Sequence, residues 1–286
     1  MVFKAGCKYF DTEKKPLIMG ILNVTPDSFS DGGMYEDADS AAERCMQMIS
    51  EGADIIDIGG ESSRPGSKRV SSNDEIERIV PVIKRIREQS DVCISVDTYK
   101  ADVAEAALTE GADMINNIYG AEPCPDLLRI AASHSAGLCL MHMRGEPGTM
   151  QDETGYCDII NEIYSALRDS YEKALLAGIS GDSIIIDPGI GFGKSVEGNL
   201  SLIRNIGYFK SIGCPVLIGV SRKSFIGKIL DNDTEGRLTG TIAANTAAYI
   251  FGAEIFRVHD VKENAEALNI ARSILKINAE KTGRTF

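Results

Sequence analysis

Residues 52–66 read GADIIDIGGESSRPG, and this stretch decides the fold. Its glycine suits the left-handed residue that ends a helix. Asp54–Ile58 is a short run in which Ile55, Ile56 and Ile58 follow the opening Asp54 and are interrupted once, by Asp57, and a long loop of Glu, Ser, Arg, Pro and Gly follows. A short run that is apolar on successive positions marks a strand buried on both faces, as a parallel sheet requires. The opening turn recurs as Gly111-Ala112-Asp113 and Gly252-Ala253-Glu254, each between a helical stretch and an apolar run. It is a repeated helix-to-strand turn, structural and not catalytic.

The same alternation extends outward in both directions. Further apolar runs are Leu17–Asn23, Val92–Asp97, Met114–Ile118, Leu138–His142, Ile184–Asp187, Val216–Gly219 and Ile255–Val258. Helical stripes fall between them at Asp39–Ser50, Glu75–Glu88, Lys100–Thr109, Asp158–Leu176, Gly198–Phe209, Thr239–Phe251 and Val261–Lys276, with a weaker one at Pro125–Ser135. Eight strands in strict alternation with helices favour an α/β fold that is a single (β/α)8 TIM barrel over an open doubly wound sheet, although periodicity alone does not decide closure. The expected organisation is an N-terminal extension, residues 1–15, forming a hairpin under the barrel, and the barrel itself over 16–280. Two βα loops, Thr25–Gly33 after the first barrel strand and Glu61–Arg69 after the second, are long and built for mobility.

Composition narrows the function. The chain of 286 residues carries a net charge of −12, which disfavours nucleic acid or an anionic membrane as partner. Seven cysteines without a C-x-x-C pair and three histidines without metal-site spacing point to reduced thiols and no zinc. No apolar run approaches the length of a membrane helix, and Met1–Phe10 lacks the apolar centre of a signal peptide, so the expected location is cytoplasmic.

In a barrel of this kind the active site forms where the strands end. Those positions hold Asn23, Asp57 with Glu61, Asp97, Asn116, Met141 with His142, Asp187, Ser221-Arg222-Lys223, and Arg257 with His259. Each has a plainer role open to it. Asp57 is as well explained as a helix cap, Asn117 as a turn residue and His142 as a packed ring, while His134 lies in a helix. The convergence of so many is the signal. Asp187–Ser195, DPGIGFGKS, fails as a phosphate loop, because Pro188 and Lys194 stand where glycine is needed. Its glycines suit close approach to a flat ligand, with Phe192 to pack on it. Carboxylates and amides read a heterocycle edge and cations stabilise a leaving anion, so group transfer from a phosphate ester fits, with Mg²⁺ held by phosphate oxygens and one or two protein oxygens.

With these residues in view, the sequence resembles the dihydropteroate synthase family. The resemblance is carried by Gly20–Gly33 (GILNVTPDSFSDGG), Asp57–Gly66, Ser95–Thr98, Ile115-Asn116, Leu140–Met143, Asp187–Lys194, Gly219–Gly227 (GVSRKSFIG) and Arg257–Asp260, in order along nearly the whole chain. It implies condensation of 6-hydroxymethyl-7,8-dihydropterin diphosphate with 4-aminobenzoate to 7,8-dihydropteroate and pyrophosphate, a step of folate biosynthesis. By that resemblance Asp97, Asn116, Asp187 and Lys223 hold the pterin, and Met141 and Gly219 line its slot. Asn23, Arg257 and His259 bind the diphosphate, and Asn23 also meets Mg²⁺. Ser63, Arg64, Pro65, Phe192 and Ser224 frame the aminobenzoate, where sulfonamides compete. Asp97, Lys223 and Arg257 are the catalytic group, Asp57 and His142 their support, and a homodimer is expected.

Two positions depart from the family pattern: Ser63 stands in place of threonine and Asn117 in place of aspartate. The rivals are a pterin-binding methyltransferase barrel, which has no use for a diphosphate site, and a catalytically silent pterin-binding paralogue.

Overall fold

The computed structural model describes residues 1–25, 34–62, 69–122, 124–145, 150, 154–233 and 235–282. The chain opens with an antiparallel hairpin, β1 (Val2–Ala5) and β2 (Lys8–Asp11). Eight parallel strands follow: β3 (Leu17–Asn23), β4 (Ile55–Gly59), β5 (Cys93–Asp97), β6 (Met114–Asn117), β7 (Gly137–Met141), β8 (Ile184–Asp187), β9 (Leu217–Ile218) and β10 (Ile255–Val258). Their order in the sheet is β8-β7-β6-β5-β4-β3-β10-β9. A parallel bridge between Ile186 and Val216, with the Ile186 N–H donating to the Pro215 carbonyl at 3.1 Å, joins the two ends. The expected barrel is therefore the one observed.

Around the strands run α1 (Met34–Glu51), α2 (Ser72–Arg87), α3 (Ala101–Thr109), α4 (Pro125–Ser133), α5 (Ile159–Leu176), α6 (Val196–Arg204), α7 (Ile206–Phe209), α8 (Ser224–Leu230), α9 (Leu238–Ile250) and α10 (Val261–Thr282). The stretch 198–209, expected as one helix, is two. Asn205 leaves helical geometry at φ −107° and ψ 21°, and its side-chain amide donates to the Ser201 carbonyl at 2.8 Å, a local bond that competes with the helix ladder. The run Val216–Gly219 yields only the two residues of β9, with Val216 joined to Ile186 by an isolated bridge.

Two apolar shells hold the barrel. Strand residues that face outward, such as Ile56, Ile58, Ile94 and Phe256, pack beneath the helices with Ile79, Ile83 and Leu202. Inside, Leu17, Met19, Ile55, Cys93, Met114, Cys139, Ile185, Leu217 and Ile255 form one buried layer to which every barrel strand contributes. Phe3 and Ala5 of the hairpin close that layer from below.

The repeated turn explains how the hairpin is held. Gly52, Gly111 and Gly252 have φ of 109°, 104° and 109°, the left-handed conformation read from the sequence. The acid two residues on caps a neighbouring strand: Asp54 accepts from the Ile18 N–H, Asp113 from that of Ile94 and Glu254 from that of Val216. The second oxygen of each acid then takes a group from the N-terminal segment: Lys15 on Asp54, Lys8 on Asp113 and the Thr12 hydroxyl on Glu254.

Candidate functional site

Side chains alternate between the two faces of a strand, so residues two or four positions beyond the inner apolar layer also face the barrel axis. Counting up from Ile55 gives Asp57, and from Cys93 gives Ser95 and Asp97. Met114 leads to Asn116, Cys139 to Met141, Ile185 to Asp187, Leu217 to Gly219, Ile255 to Arg257, and Met19 through Ile21 to Asn23. The candidate site is the next storey of the interior.

Arg257 joins this storey. Its Nε donates to Asp57 Oδ2 at 2.6 Å and a terminal nitrogen donates to Asp97 Oδ2 at 2.7 Å. Asn116 Nδ2 donates to the same Asp57 oxygen at 3.1 Å. Burial works against the guanidinium charge, but Asp57 and Asp97 more than offset it and raise its pKa. Burial pushes the Asp97 carboxyl up to about 7, with Arg257 opposing and Asp57 reinforcing. Asp57 is thus a fully buried ion-pair partner at the centre of the site rather than a helix cap.

Opposite lies Asp187, whose carboxylate accepts the Gly189 N–H at 2.7 Å; burial raises its pKa against the pull of that bond and of Lys223. The Lys223 ammonium sits 3.8 Å from the centroid of the Phe192 ring, a cation–π pair. Burial and Arg257 lower its pKa to about 8, while Asp187 and Asp97 hold it up. Gly191, at φ 85°, lets the lysine stem lie on the turn, where a β-carbon would stand 3.0 Å from Lys223 Cδ. Gly219 forms a floor between Arg257 and Asp187, and Met141, Phe192, Ile118 and Met150 make an apolar wall. Polar edge readers on one side and an apolar wall on the other define a slot for a flat heterocycle.

The rim beside it carries half-buried Asn23 and His259. Asn23 Oδ1 and Asp97 Oδ2 each lie 3.9 Å from the position of a β-carbon at Gly59, so both border the space over that glycine. Ser221 Oγ accepts the His259 N–H at 3.2 Å and lies 3.0 Å from its Nδ1, which orients the ring. Arg222, named above among the strand-end cations, turns away: at φ 56° it forms a two-pronged pair with Asp260. Ser224 starts α8 and is exposed. Ser63, Arg64 and Pro65 lie outside the described residues, as does most of the loop Thr25–Gly33.

The plainer readings hold for three residues, and His142 is one, its ring packed on Tyr156 and in contact with Lys194. Asn117 accepts the Tyr119 N–H and donates to the Gly120 carbonyl at 2.5 Å, a turn bond. His134 meets Glu105 on the surface. Asp57 supports Arg257 and Asn116, as expected of it, while Lys194, buried beside Phe192 and His142, was not among the expected site residues. The available signal was a lysine inside a glycine-rich turn with no acid beside it. Among the described residues no group of His, Cys, Asp and Glu has the form of a metal cage, and no helix is long and apolar enough to cross a membrane.

The pterin binding enzyme family matches residues 19–259 of the chain. A dihydropteroate synthase of Synechocystis is 46% identical over 94% of this chain and 93% of that protein. The crystal structure of Yersinia pestis dihydropteroate synthase with a sulfonamide drug complex superposes with a TM-score of 0.90 at 40% identity, covering 96% of this chain and 100% of the other. That of Xanthomonas albilineans dihydropteroate synthase with 4-aminobenzoic acid gives 0.89 at 38%, covering 96% and 99%. A barrel with this polar upper storey, matched at this identity over almost its full length, places the chain in the dihydropteroate synthase family of pterin-binding enzymes.

Proposed function

We propose that the protein condenses 6-hydroxymethyl-7,8-dihydropterin diphosphate with 4-aminobenzoate, releasing pyrophosphate and forming 7,8-dihydropteroate. The observation that carries this is the joining of Asp97, Asn116 and Asp187 with Arg257 and Lys223 in one interior storey over an apolar wall. Asp97, Asn116, Asp187 and Lys223 read the pterin edge, and Met141 and Gly219 shape its slot. Asn23, Arg257 and His259 take the diphosphate, and Phe192, Ser224 and the loop residues Ser63, Arg64 and Pro65 receive the aminobenzoate, the place where a sulfonamide competes. The pterin's donor and acceptor edge calls for carboxylates and amides, and the departing anion for cations.

In the reaction the bond between the pterin methylene and the diphosphate oxygen breaks first, and Arg257, Lys223 and His259 take up the charge that collects on pyrophosphate. The anionic Asp97 and Asp187 favour the positive charge left on the pterin. The amine of 4-aminobenzoate then attacks the methylene and loses a proton. Exclusion of water protects the cation from hydrolysis. The oxygen of Asn23, facing the space over Gly59, suits Mg²⁺, which needs few protein ligands when phosphate oxygens supply the rest. Bound there, the ion would neutralise charge on the leaving pyrophosphate. A cytoplasmic homodimer, with the barrel as its working unit and residues 1–15 as an accessory, completes the reading.

The test is direct. Purified protein given both substrates and Mg²⁺ should form dihydropteroate, with only slow pyrophosphate release when 4-aminobenzoate is left out. No dihydropteroate under these conditions would refute the reading. A methyltransferase has no use for the cations gathered here, and the same assay separates a silent paralogue.

A further inference from the structure

The ladder between β7 and β8 ends on an unusual rung. Met141 and Asp187 are paired, and the His142 N–H then donates to the Asp187 carbonyl at 3.0 Å. The next acceptor is the His142 carbonyl. The N–H of Gly189, in the turn that follows β8, has left the ladder for the Asp187 carboxylate. Lys194 takes its place. Its ammonium donates to the Phe192 carbonyl at 2.7 Å and the His142 carbonyl at 3.3 Å, and lies 3.3 Å from His142 Nδ1. The fit around it is tight: a β-carbon on Gly189, which sits at φ 72°, would stand 2.0 Å from the His142 carbonyl oxygen and 3.3 Å from the lysine nitrogen.

Among the described residues no carboxylate pairs with this buried lysine. Burial lowers its pKa to about 7, with Asp187 opposing and Lys223 and Arg144 adding to the shift. Burial also pushes the His142 imidazolium down to about 3, so the ring is neutral and adds no charge beside the lysine. A buried ammonium satisfied by neutral acceptors alone is costly, and an apolar side chain of the same length would fill the space more cheaply. The cost calls for a role.

We propose that Lys194 is a positioning residue of the pterin slot, its ammonium clasping the turn after β8 to the end of β7 so that the Asp187 carboxylate and the Phe192 ring keep their places. This rests on the reading of the slot as a pterin site. The clasp acts through Asp187, fixed by Gly189 on the same turn, and through Phe192, fixed by its own carbonyl; Lys194 itself touches no substrate. The diphosphate side, formed by Asn23 on β3, Arg257 on β10 and His259 just past it, is independent of it.

The experiment titrates 6-hydroxymethylpterin and inorganic pyrophosphate separately into the wild type, K194M and K194R by calorimetry, with unfolding temperatures measured alongside. K194M should bind the pterin about tenfold more weakly, the effect of losing charge-assisted bonds that order the site, with pyrophosphate binding unchanged. K194R, which restores the donors, should regain part of the loss. A wild type that does not bind the pterin overturns the slot reading and the clasp with it. A wild type that binds while K194M binds equally well overturns the clasp alone. Parallel loss of both ligands, or failure of both variants to fold, gives Lys194 a purely structural role and also overturns it.

Discussion

Replacing Asp57 by asparagine keeps the shape of the side chain and removes one charge from the Arg257 network. Arg257 then holds a single anionic partner, Asp97, and its 2.6 Å bond to residue 57 weakens from an ion pair to a bond with a neutral amide oxygen. Such bonds contribute about 1.5–3 kcal/mol, but relief of a fully buried carboxylate offsets part, so the net cost to stability is about 1–2 kcal/mol. For a chain of this size that lowers the unfolding temperature by roughly 2–8 °C. The larger effect falls on Asp97. Its pKa is raised to about 7 by burial, and the charge of Asp57 adds to the rise. If ionised Asp97 is needed for turnover, activity climbs as pH rises through that value.

Removing the like charge lowers the Asp97 pKa, so the acid limb must move to lower pH. At an effective dielectric constant of about 20, two unit charges about 5 Å apart interact by roughly 3 kcal/mol, or about 2 pH units, which serves as an upper bound. Relaxation and solvent at the half-open slot reduce this to about one unit. Above the limb kcat/KM should fall about tenfold, because Arg257 is less firmly aimed. Steady-state rates from pH 5.5 to 9 with both substrates, beside calorimetric unfolding, read all three effects. A D57N acid limb that stays in place or moves upward refutes the argument, whatever happens to the rate.

Two further substitutions probe the slot and the base of the barrel. G219A adds a β-carbon 3.9 Å from Arg257 Cβ and 4.0 Å from Asp187 Oδ2, ordinary contact distances for the protein itself. It should fold with unchanged stability yet weaken pterin binding about tenfold by filling the slot floor while pyrophosphate binding is spared; calorimetric titration of each ligand checks the split. Phe3→Ala empties a fully buried ring site beneath the inner layer and should cost about 3–5 kcal/mol. Thermal unfolding checks it, and a loss near zero would show that the hairpin does not close the barrel.

Why the sequence revealed the barrel but missed part of its site follows from what each signal contains. Strand existence is a local property, set by consecutive apolar residues such as Ile184–Ile186, and it was legible. Helix interruption at Asn205 depends on one side-chain bond to Ser201 and was not. The polar ends were visible as ends, yet an end has two faces. His142 and Asn117 fall one position out of phase with Met141 and Asn116, so they face away from the axis and serve the surrounding turns. Asp57 is in phase with Ile55 and faces inward. Asp57 and His142 are both support, but that parity puts Asp57 under Arg257 and Asn116 inside the barrel and His142 among the turns outside it. Lys194 was beyond any such rule, because its place depends on a turn that brings residue 194 back over residue 142.

The same parity makes fold and site inseparable. The apolar layer of Ile55, Cys93, Met114, Cys139, Ile185, Leu217 and Ile255 sets the radius and register at which Asp57, Asp97, Asn116, Met141, Asp187, Gly219 and Arg257 stand above it. One side chain from Arg257 spans β10 to both β4 and β5, so its two bonds of 2.6 and 2.7 Å exist only while the barrel holds its width. A guanidinium fork cannot stretch, and a layer repacked to a different volume would open one of those bonds before it unfolded the chain. Conservative changes deep in the inner layer, far from any substrate, should therefore lower turnover at a smaller stability cost than changes of equal volume in the outer shell beneath the helices.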